Sequence, residues 1–236
     1  MEAALYLIPC TLGDVPCEQV LPSYNHEVIL SIKHFIVEEV RTARRFLKSV
    51  DRSINIDELV FYPMGKHADT KLYSSYLAPL RNGEPIGVIS EAGCPAVADP
   101  GANVVAIAQA EGLRVIPLVG PSSIILAVMA SGFNGQNFAF NGYLPILPNE
   151  RQKAIKQLEA KAYSESQTQL FIETPYRNGK MLEDLLRALR PQTRLCIAAG
   201  LTCKEEYIKA QSVARWKKEK CPDLSKIPAI FLIYKS

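Results

Sequence analysis

Residues 88–101 combine the side chains and the spacing best suited to hold a ligand. An apolar, β-branched run ends at Ser90, and the chain continues through small residues, two glycines, two prolines and the carboxylates of Glu91 and Asp99. Small residues let main-chain N–H and C=O groups approach a ligand closely. In open α/β sheets, ligands bind beyond the carboxyl ends of the strands. The segment is longer than a plain strand-to-helix turn requires, so we predict a binding site there.

Two other loops have a similar position. The loop 117–123 joins a predicted strand to a predicted helix, whose first N–H groups can hold polar ligand atoms. A domain linker with a serine cap is the alternative for this loop. The loop 8–14 follows the first predicted strand and lacks the G-x-G-x-x-G pattern of dinucleotide sites. A nicotinamide-dependent oxidoreductase is therefore disfavoured.

The first half of the chain alternates apolar strand-like runs with amphipathic segments. Such alternation predicts α/β architecture. Asp99 and Pro100 are suited to begin a helix, and Gly112 is suited to end it. We predict strands at 4–8, 35–38, 58–62, 86–90 and 114–118, and helices at 25–34, 39–50, 70–82 and 101–111.

The second half has short connections between its later strands. These connections are too short for parallel crossovers, so some strands there are predicted to pair antiparallel. The helix predicted at 122–131 is almost wholly apolar or small, which predicts burial on several sides. We place a domain boundary near residues 118–120, giving domains 1–118 and 119–236. The predicted strands are 137–141, 169–173, 195–199, 207–212 and 229–234, with helices at 150–163 and 178–189.

Composition excludes several classes of protein. Hydrophobic residues make up 48% of the 236 residues and charged residues 22%, which is typical of a globular protein rather than a disordered one. The longest apolar runs are far shorter than the roughly 20 residues that a bilayer requires. The chain opens with a predicted strand instead of a signal peptide. We therefore expect a cytoplasmic protein without a membrane partner.

The cysteines and histidines do not indicate a metal site. The six cysteines include no C-x-x-C pair, which disfavours zinc and favours free thiols. No recognisable ligand set joins them to the three histidines, which are His26, His34 and His67.

The net charge of +3 permits a nucleic-acid substrate without requiring one. Two basic clusters suit either phosphate contact or a solvated helix face, and they are Arg41, Arg44, Arg45 and Lys48, and Arg215, Lys217, Lys218 and Lys220.

Several characteristic segments follow one another along the chain. They are LYLIP and LGD at 5–14, VEEVR at 37–41, SEAGCP and ADPG at 90–101, PLVGPSS at 117–123, FAFNGYLP at 138–145, FIETPYR at 171–177 and TCKEE at 202–206. In this order they resemble the tetrapyrrole-methylase superfamily. The chain is most similar within it to the ribosomal RNA small-subunit methyltransferase I family, whose members 2′-O-methylate a cytidine. The resemblance covers residues 4 to about 233.

The resemblance implies two α/β domains of the tetrapyrrole-methylase type, with a mixed sheet in the second and S-adenosylmethionine in a cleft between them. It also implies a homodimer that acts on RNA of the small ribosomal subunit, and no metal. The residues that it assigns to donor binding are Pro9, Ser90, Glu91, Ala92, Gly93, Cys94, Pro95, Val97, Ala98, Pro121, Ser122, Ser123, Glu173, Thr174 and Pro175.

The chain departs from the rRNA family at a few positions. Its first loop is about two residues shorter, and Glu91 and Cys94 replace the usual aspartate and threonine. These changes bear on donor contacts. Val40 stands in place of a threonine and Tyr176 in place of a histidine, where substrate handling is expected.

A 2′-hydroxyl is a weak nucleophile and profits from a general base. Glu39 is the first candidate, with Glu91 and Lys204 behind it, and Lys204 completes the predicted catalytic pair with Glu39. The alternative for Glu39 is a carboxylate at the positive end of a helix. Arg41 and Arg177 are suited to bind phosphate, although each can instead pair with a neighbouring acid. Cys94 is expected to line the site rather than act as a nucleophile.

Two alternatives to an RNA methyltransferase stay open. One is a methylase of a tetrapyrrole or other small molecule, against which the first loop lacks the glycine-rich start of most tetrapyrrole enzymes. The other is a donor-binding module without turnover, because a fold does not by itself establish a function.

Overall fold

The computed structural model describes residues 1–64 and 70–236, and divides the chain into two compact units, Met1–Ser122 and Ser123–Ser236. His67 lies outside the described residues. The strands of the first unit are β1 (Leu5–Ile8), β2 (His34–Val37), β3 (Val60–Pro63), β4 (Ile86–Ile89) and β5 (Val115–Pro117). Its helices are α1 (Ser23–Leu30), α2 (Val40–Val50), α3 (Tyr73–Tyr76), α4 (Ala78–Arg81) and α5 (Gly101–Ala110), with short 3-10 turns at Cys17–Gln19, Ile56–Glu58 and Thr70–Leu72.

The first unit is built on a parallel sheet with the strand order β3-β2-β4-β1-β5. Alternate residues of β1 enter two different cores, since Tyr6 and Ile8 pack in one cluster and Leu5 in the other. This follows from the alternation of side chains along a strand, and a sheet covered on both faces is typical of parallel pairing. Parallel strands end at the same edge, so the segments after β1, β2, β4 and β5 share one edge.

The helix after the 88–101 segment has well-formed ends. The Asp99 carboxylate accepts a hydrogen bond from the N–H of Gly101 at 3.0 Å, Pro100 is the cap residue, and the helix begins at Gly101 as predicted. At the other end, Gly112 has a φ of 67° and donates to Gln109, while Leu113 donates to Ala108. This is a Schellman arrangement, and it explains why a glycine is needed there.

Two predicted helices of the first unit differ from the structure. The helix predicted at 25–34 lies at Ser23–Leu30, and His34 instead begins β2. The helix predicted at 70–82 is split into a 3-10 turn, α3 and α4. Pro79 provides the physical reason, because proline lacks the N–H that an unbroken helix would use there.

The second unit carries a mixed sheet. Its strands are β6 (Phe138–Tyr143), β7 (Thr168–Glu173), β8 (Arg194–Ala199), β9 (Tyr207–Ser212) and β10 (Ala229–Tyr234), and its helices are α6 (Ser123–Ser131), α7 (Pro148–Ser164), α8 (Pro175–Ala188) and α9 (Val213–Trp216). The strand order is β6-β7-β10-β8-β9. Only the β6–β7 pair is parallel among the strand pairs of this sheet in the described residues. The prediction of a mixed sheet in this half is confirmed.

Helix α6 is less buried than its composition predicts. Ala127, Val128 and Ser131 are buried, whereas 47% of Ile125 and 73% of Met129 are exposed. The prediction of burial on several sides was therefore wrong, because one face of the helix covers the sheet and the opposite face is left uncovered. In the described part of the chain, no helix is long and apolar enough to cross a membrane.

Candidate functional site

The loops after β1 and β4 are joined to each other by backbone hydrogen bonds. Cys10 donates to Gly93 O at 2.9 Å, and Gly93 donates back to Cys10 O at 3.2 Å. A Cβ atom on Gly93 would lie 3.2 Å from Leu12 and 3.5 Å from Pro121 O. The predicted binding segment 90–101, called the ligand loop below, is therefore held between the first loop and the loop after β5.

The loop after β5 is fixed from two sides. The Cys94 thiol donates to Pro121 O at 3.5 Å. Asn25, which is 1% exposed, donates from its side chain to Val119 O at 2.8 Å. A Cβ atom on Gly120 would lie only 2.3 Å from Pro9 Cβ, so a glycine is required for this approach. Three loops predicted separately thus form one cluster at the carboxyl edge of the parallel sheet.

The backbone of the 90–101 segment is strained. Ala96 and Ala98 have φ angles of 67° and 59°, in the left-handed region that non-glycine residues seldom adopt. Strained backbone of this kind is concentrated at functional sites, where surrounding contacts hold it in place. The strain supports a binding role for the segment and is not expected of a plain turn.

Exposure divides the predicted donor residues of these loops into three groups. Pro9, Ser90, Gly93, Pro95 and Pro121 are buried and hold the loop cluster together. Ser122 and Ser123 are half-buried, and Ser123 is the first residue of α6. The exposed residues are Glu91, Ala92, Val97 and Ala98, so that group presents most of the accessible surface of the loop.

The side chain of Glu91 is hydrogen-bonded to the first turn of helix α2. Its carboxylate accepts a hydrogen bond from the Thr42 hydroxyl at 2.5 Å. The two residues meet because β2 and β4 are neighbours, with Val37 opposite Ile89. Each strand is followed two residues later by a glutamate, Glu39 after β2 and Glu91 after β4. The structure therefore brings α2 to the ligand loop.

Glu39 is the N-cap residue of α2. Its Oε1 accepts a hydrogen bond from the N–H of Arg41 at 3.2 Å, and its carbonyl accepts from the Thr42 hydroxyl at 2.9 Å. The side chains of Glu39 and Arg41 are both exposed. The alternative for Glu39 was a carboxylate at the positive end of a helix, and the structure places it there as the N-cap residue. The catalytic role of Glu39 stays a prediction.

In the second unit, Glu173 and Arg177 bind each other. Glu173 is 5% exposed, and its Oε1 accepts from Arg177 Nε at 2.9 Å and from Arg177 Nη2 at 2.6 Å. The same oxygen accepts from the N–H of Thr174 at 2.7 Å. Pro175 follows as the first residue of α8. Arg177 is therefore partly neutralised, and its predicted phosphate contact would compete with this ion pair.

Lys204 lies in the turn between β8 and β9 and is exposed. The neighbouring Thr202 has a φ of 68°, which is strained for a β-branched residue. Its hydroxyl is buried without a hydrogen-bond partner among the described residues, while its N–H donates to Glu206 at 2.9 Å. The turn is the second strained segment that sequence assigned to the site.

The thiols near the loop cluster are structural. Burial raises the pKa of the Cys94 thiol and also raises the pKa of Cys10, which donates to Ser90 O at 3.3 Å. A raised pKa disfavours the thiolate, which is the nucleophilic form. That Cys94 lines a binding site stays a prediction. Over residues 1–64 and 70–236, no group of three or more potential ligands is arranged to hold a metal ion.

A cavity of about 310 Å³ lies beside the loop cluster in the first unit, and Leu21, Asn25 and His26 are among the residues that line it. Asn25 contacts Val119 from this side. The lining is mainly apolar and lacks the strained small-residue loop, so we do not assign the cavity to the methyl donor.

The fold was compared with solved structures. The methyltransferase CobJ matches 99% of this chain and 94% of its own, with a TM-score of 0.64 and 15% sequence identity. Uroporphyrin-III C-methyltransferase from Thermus thermophilus, solved in complex with S-adenyl homocysteine, matches 98% and 97%, with a TM-score of 0.56 and 18% identity. The chain therefore has the fold of the tetrapyrrole methylases, as the resemblance implied.

Among curated proteins, the chain is similar in sequence to ribosomal RNA methyltransferases. Ribosomal RNA small subunit methyltransferase I of Escherichia coli O157:H7 is 28% identical over 92% of this chain and 73% of its own length. The same enzyme of Vibrio cholerae is 29% identical over 89% and 69%. No family model matches the chain. The predicted resemblance, fold and methyltransferase class are confirmed by these relatives and structures.

Sequence reasoning missed Thr42 and Asn25. Thr42 lies in the first turn of α2, where a hydroxyl usually serves the helix, and its partner Glu91 is 49 residues away. Asn25 is a buried polar residue in α1, and its partner is 94 residues away. Nothing in the local pattern pairs these residues, because their contacts depend on the order of the strands.

Proposed function

We propose that this chain transfers a methyl group from S-adenosylmethionine to RNA of the small ribosomal subunit, at the 2′-hydroxyl of a cytidine. The observation that carries the proposal is the similarity to ribosomal RNA small subunit methyltransferase I along 92% of the chain. A cytoplasmic homodimer is part of the proposal. The second unit exposes large apolar side chains, including Met129 and Ile146, which fit burial against a second copy.

The residues present fit S-adenosylmethionine. The donor combines a charged amino-acid tail, a positive sulfur and a nucleoside, so it needs accessible main-chain groups more than charged side chains. Along the 90–101 segment, the exposed residues are Glu91, Ala92, Val97 and Ala98, and the left-handed Ala96 and Ala98 turn the main chain sharply. These features support donor binding by the three-loop cluster.

When bound, the donor supplies a methyl group on a sulfonium that is open to in-line attack. The loop cluster orients the donor, and orientation of two reactants can contribute roughly 7–11 kcal/mol to a bimolecular reaction. Thr42 holds the Glu91 carboxylate beside the loop, so the position of that charge is defined. No metal is needed for this chemistry.

We propose Glu39 as the general base that receives the proton of the acceptor hydroxyl. One carboxylate oxygen is held by the Arg41 N–H, and the other has no hydrogen-bond partner among the residues that the structure describes. A positioned base contributes about 10²–10⁴-fold. Lys204 is proposed to contact the acceptor from the strained β8–β9 turn, and Arg41 and Arg177 to contact its phosphates.

The test is transfer of labelled methyl groups from S-adenosylmethionine to cellular RNA fractions, followed by mapping of the modified nucleotide. Incorporation into small-subunit rRNA at a 2′-hydroxyl is expected. Donor binding measured by calorimetry without transfer to any RNA would instead support a binding module. Transfer to a small molecule alone would overturn the choice of substrate.

The Glu39→Gln variant tests the base. Glutamine keeps an oxygen that can cap α2, so the fold and the donor affinity should be unchanged, while kcat falls by about 10²–10⁴-fold. A kcat close to that of the unchanged protein would leave Glu39 with its capping role alone.

A further inference from the structure

Helix α2 carries a stripe of four cations, Arg41, Arg44, Arg45 and Lys48, which we call the α2 stripe. Their spacing of three and four residues places them on one side of the helix. All four are exposed, whereas Ala43 and Leu47 are buried in the core. With a rise of about 1.5 Å per residue, the α2 stripe extends for about 10 Å.

Within the described ranges, none of the four cations has a carboxylate within 4.0 Å. Arg44 lies over the Phe61 ring at 5.4 Å, and Lys48 donates to the carbonyl of Arg52 at 2.9 Å. The helix itself contains no acidic residue. Of the carboxylates near the helix, Glu91 accepts from Thr42, Asp51 is 2.9 Å from His26, and Glu39 accepts from the backbone N–H of Arg41.

Much of this arrangement works against the stability of the helix. Like charges three or four residues apart destabilise a helix, and the α2 stripe contains four such pairs. Arg41 also lies in the first turn, where the helix dipole disfavours a cation. A polyanion lying along the stripe would remove both effects, because each phosphate would neutralise one or more of the cations.

The α2 stripe begins at the candidate site. Thr42, next to Arg41, holds Glu91 of the ligand loop, so the first turn of α2 borders the three-loop cluster. From there the stripe leads away along the helix. A strand of RNA with one nucleotide at the ligand loop would have its neighbouring phosphates within reach of the stripe.

We propose that the α2 stripe is the surface that binds the RNA backbone on one side of the methylated nucleotide. The inference rests on the proposed function and adds the surface that receives the substrate. Arginine binds phosphate bidentately through its planar guanidinium, which suits three of the four positions. A membrane surface is disfavoured, because an interfacial helix must expose an apolar face and that of α2 is buried in the core.

The second basic cluster of the chain offers a matched control. Arg215, Lys217 and Lys218 are exposed, as the cations of the α2 stripe are. They lie beside Glu219, whose carboxylate is paired with Lys209. Removing three charges there changes the net charge of the protein by the same amount as removing three charges from the α2 stripe.

The experiment compares two triple variants. The α2 triple variant combines Arg44→Gln, Arg45→Gln and Lys48→Gln. The control triple variant combines Arg215→Gln, Lys217→Gln and Lys218→Gln. For each, the affinity for small-subunit rRNA is measured over a range of salt concentrations, the affinity for S-adenosylmethionine by calorimetry, and the thermal midpoint. The α2 triple variant should lose about tenfold or more in RNA affinity. The slope of log affinity against log salt should fall by about 2, at about 0.7 per lost phosphate contact. Its donor affinity should not change, and its midpoint should stay equal or rise.

Several results would overturn the inference. One is equal loss of RNA affinity in both triple variants, which would indicate a general effect of net charge. Another is an unchanged RNA affinity of the α2 triple variant. If that variant also kept donor binding and methyl transfer, the inference about the α2 stripe would fail while the proposed function would stand. A third is binding of the protein to phosphatidylserine vesicles that the α2 triple variant loses while it keeps RNA affinity. Failure of the unchanged protein to bind the donor would be read separately, as failure of the proposed function.

Discussion

Arg151 of the second unit and the arginines of the α2 stripe in the first unit lie in opposite environments. In the second unit, Asp184 is 2% exposed and accepts from Arg151 Nε at 2.9 Å and from Arg187 at 2.6 Å. In the first unit, the cations of the α2 stripe are exposed and lack carboxylate partners within the described residues. Burial of a charge demands a partner, whereas an exposed charge is available for a ligand. Arginine is therefore fixed by a buried carboxylate at Arg151, whereas along α2 it stays exposed, and we propose that it binds RNA there.

The largest expected effect is on the buried network of the second unit. The Asp184→Ala variant leaves the guanidinium of Arg151 buried without its carboxylate. We expect the free energy of unfolding to fall by about 3–5 kcal/mol, measured by urea denaturation. The control is Lys180→Ala, whose exposed ammonium is 3.7 Å from Asp184 and which should cost about 0–1 kcal/mol. Similar losses in both variants would contradict the contrast between buried and exposed charges.

The next effect is on the loop cluster of the first unit. In Gly120→Ala, the new methyl group would overlap Pro9, whose ring cannot move aside without shifting the first loop. We expect a loss of about 1–3 kcal/mol in stability and weaker binding of S-adenosylmethionine by calorimetry. Gly179→Ala is the control, because it lies in α8 and, apart from its chain neighbours and the backbone of its own helix, no described atom lies within 4 Å of its new Cβ. That variant should gain about 0.5–1 kcal/mol and bind the donor normally.

A smaller effect is expected from the link between α2 and the ligand loop. Thr42→Val keeps the shape of the side chain and removes the hydroxyl that holds Glu91. The lost hydrogen bond is worth about 1 kcal/mol, or about fivefold in kcat/KM for methyl transfer. Thr42→Ser should restore the activity. A lower thermal midpoint with unchanged kcat/KM would show that the link serves only the fold.

The smallest effect concerns pH and an exposed pair of the first unit. Hydrogen bonds from the side chain and the N–H of Ser53, followed by one from His26, lower the pKa of Asp51 from 3.8 to about 2. A carboxyl whose pKa is lower in the folded state stabilises it above the unfolded pKa and loses this contribution as the pH falls through the folded value. Asp51→Asn should therefore flatten the fall in urea midpoint between about pH 4 and pH 2. Parallel curves for the two proteins would contradict this assignment.

Much of the fold was predictable from local patterns. The predicted strands 207–212 and 229–234 agree with β9 and β10, and the short connections correctly indicated antiparallel pairing. Glu39 was recognised as a residue suited to the start of a helix, and it is the cap of α2. Such features depend on residues close in sequence, which is why composition and spacing reveal them. The assignments of donor, catalytic and phosphate-binding roles stay predictions.

Other features depended on contacts that no local pattern describes. The split of the predicted helix 70–82 has a local cause, which is Pro79. The exposure of Met129, in contrast, depends on how much of α6 the neighbouring sheet covers. Likewise, Glu173 and Arg177 are close in sequence, yet their ion pair matters because β7 buries the carboxylate. Burial of this kind is a property of the assembled unit.

The sequence by itself determined the identity of most helices and strands, the small-residue loops and the family resemblance, because these depend on neighbouring residues and their order. Only the tertiary structure decided that Thr42 reaches Glu91, that Asn25 holds Val119, and that α2 leaves its cations without carboxylate partners in the described chain. The physical reason is strand order. Placing β2 beside β4 and β1 beside β5 brings distant segments to one edge of the sheet, and the free energy that selects this order comes from burial over the whole unit.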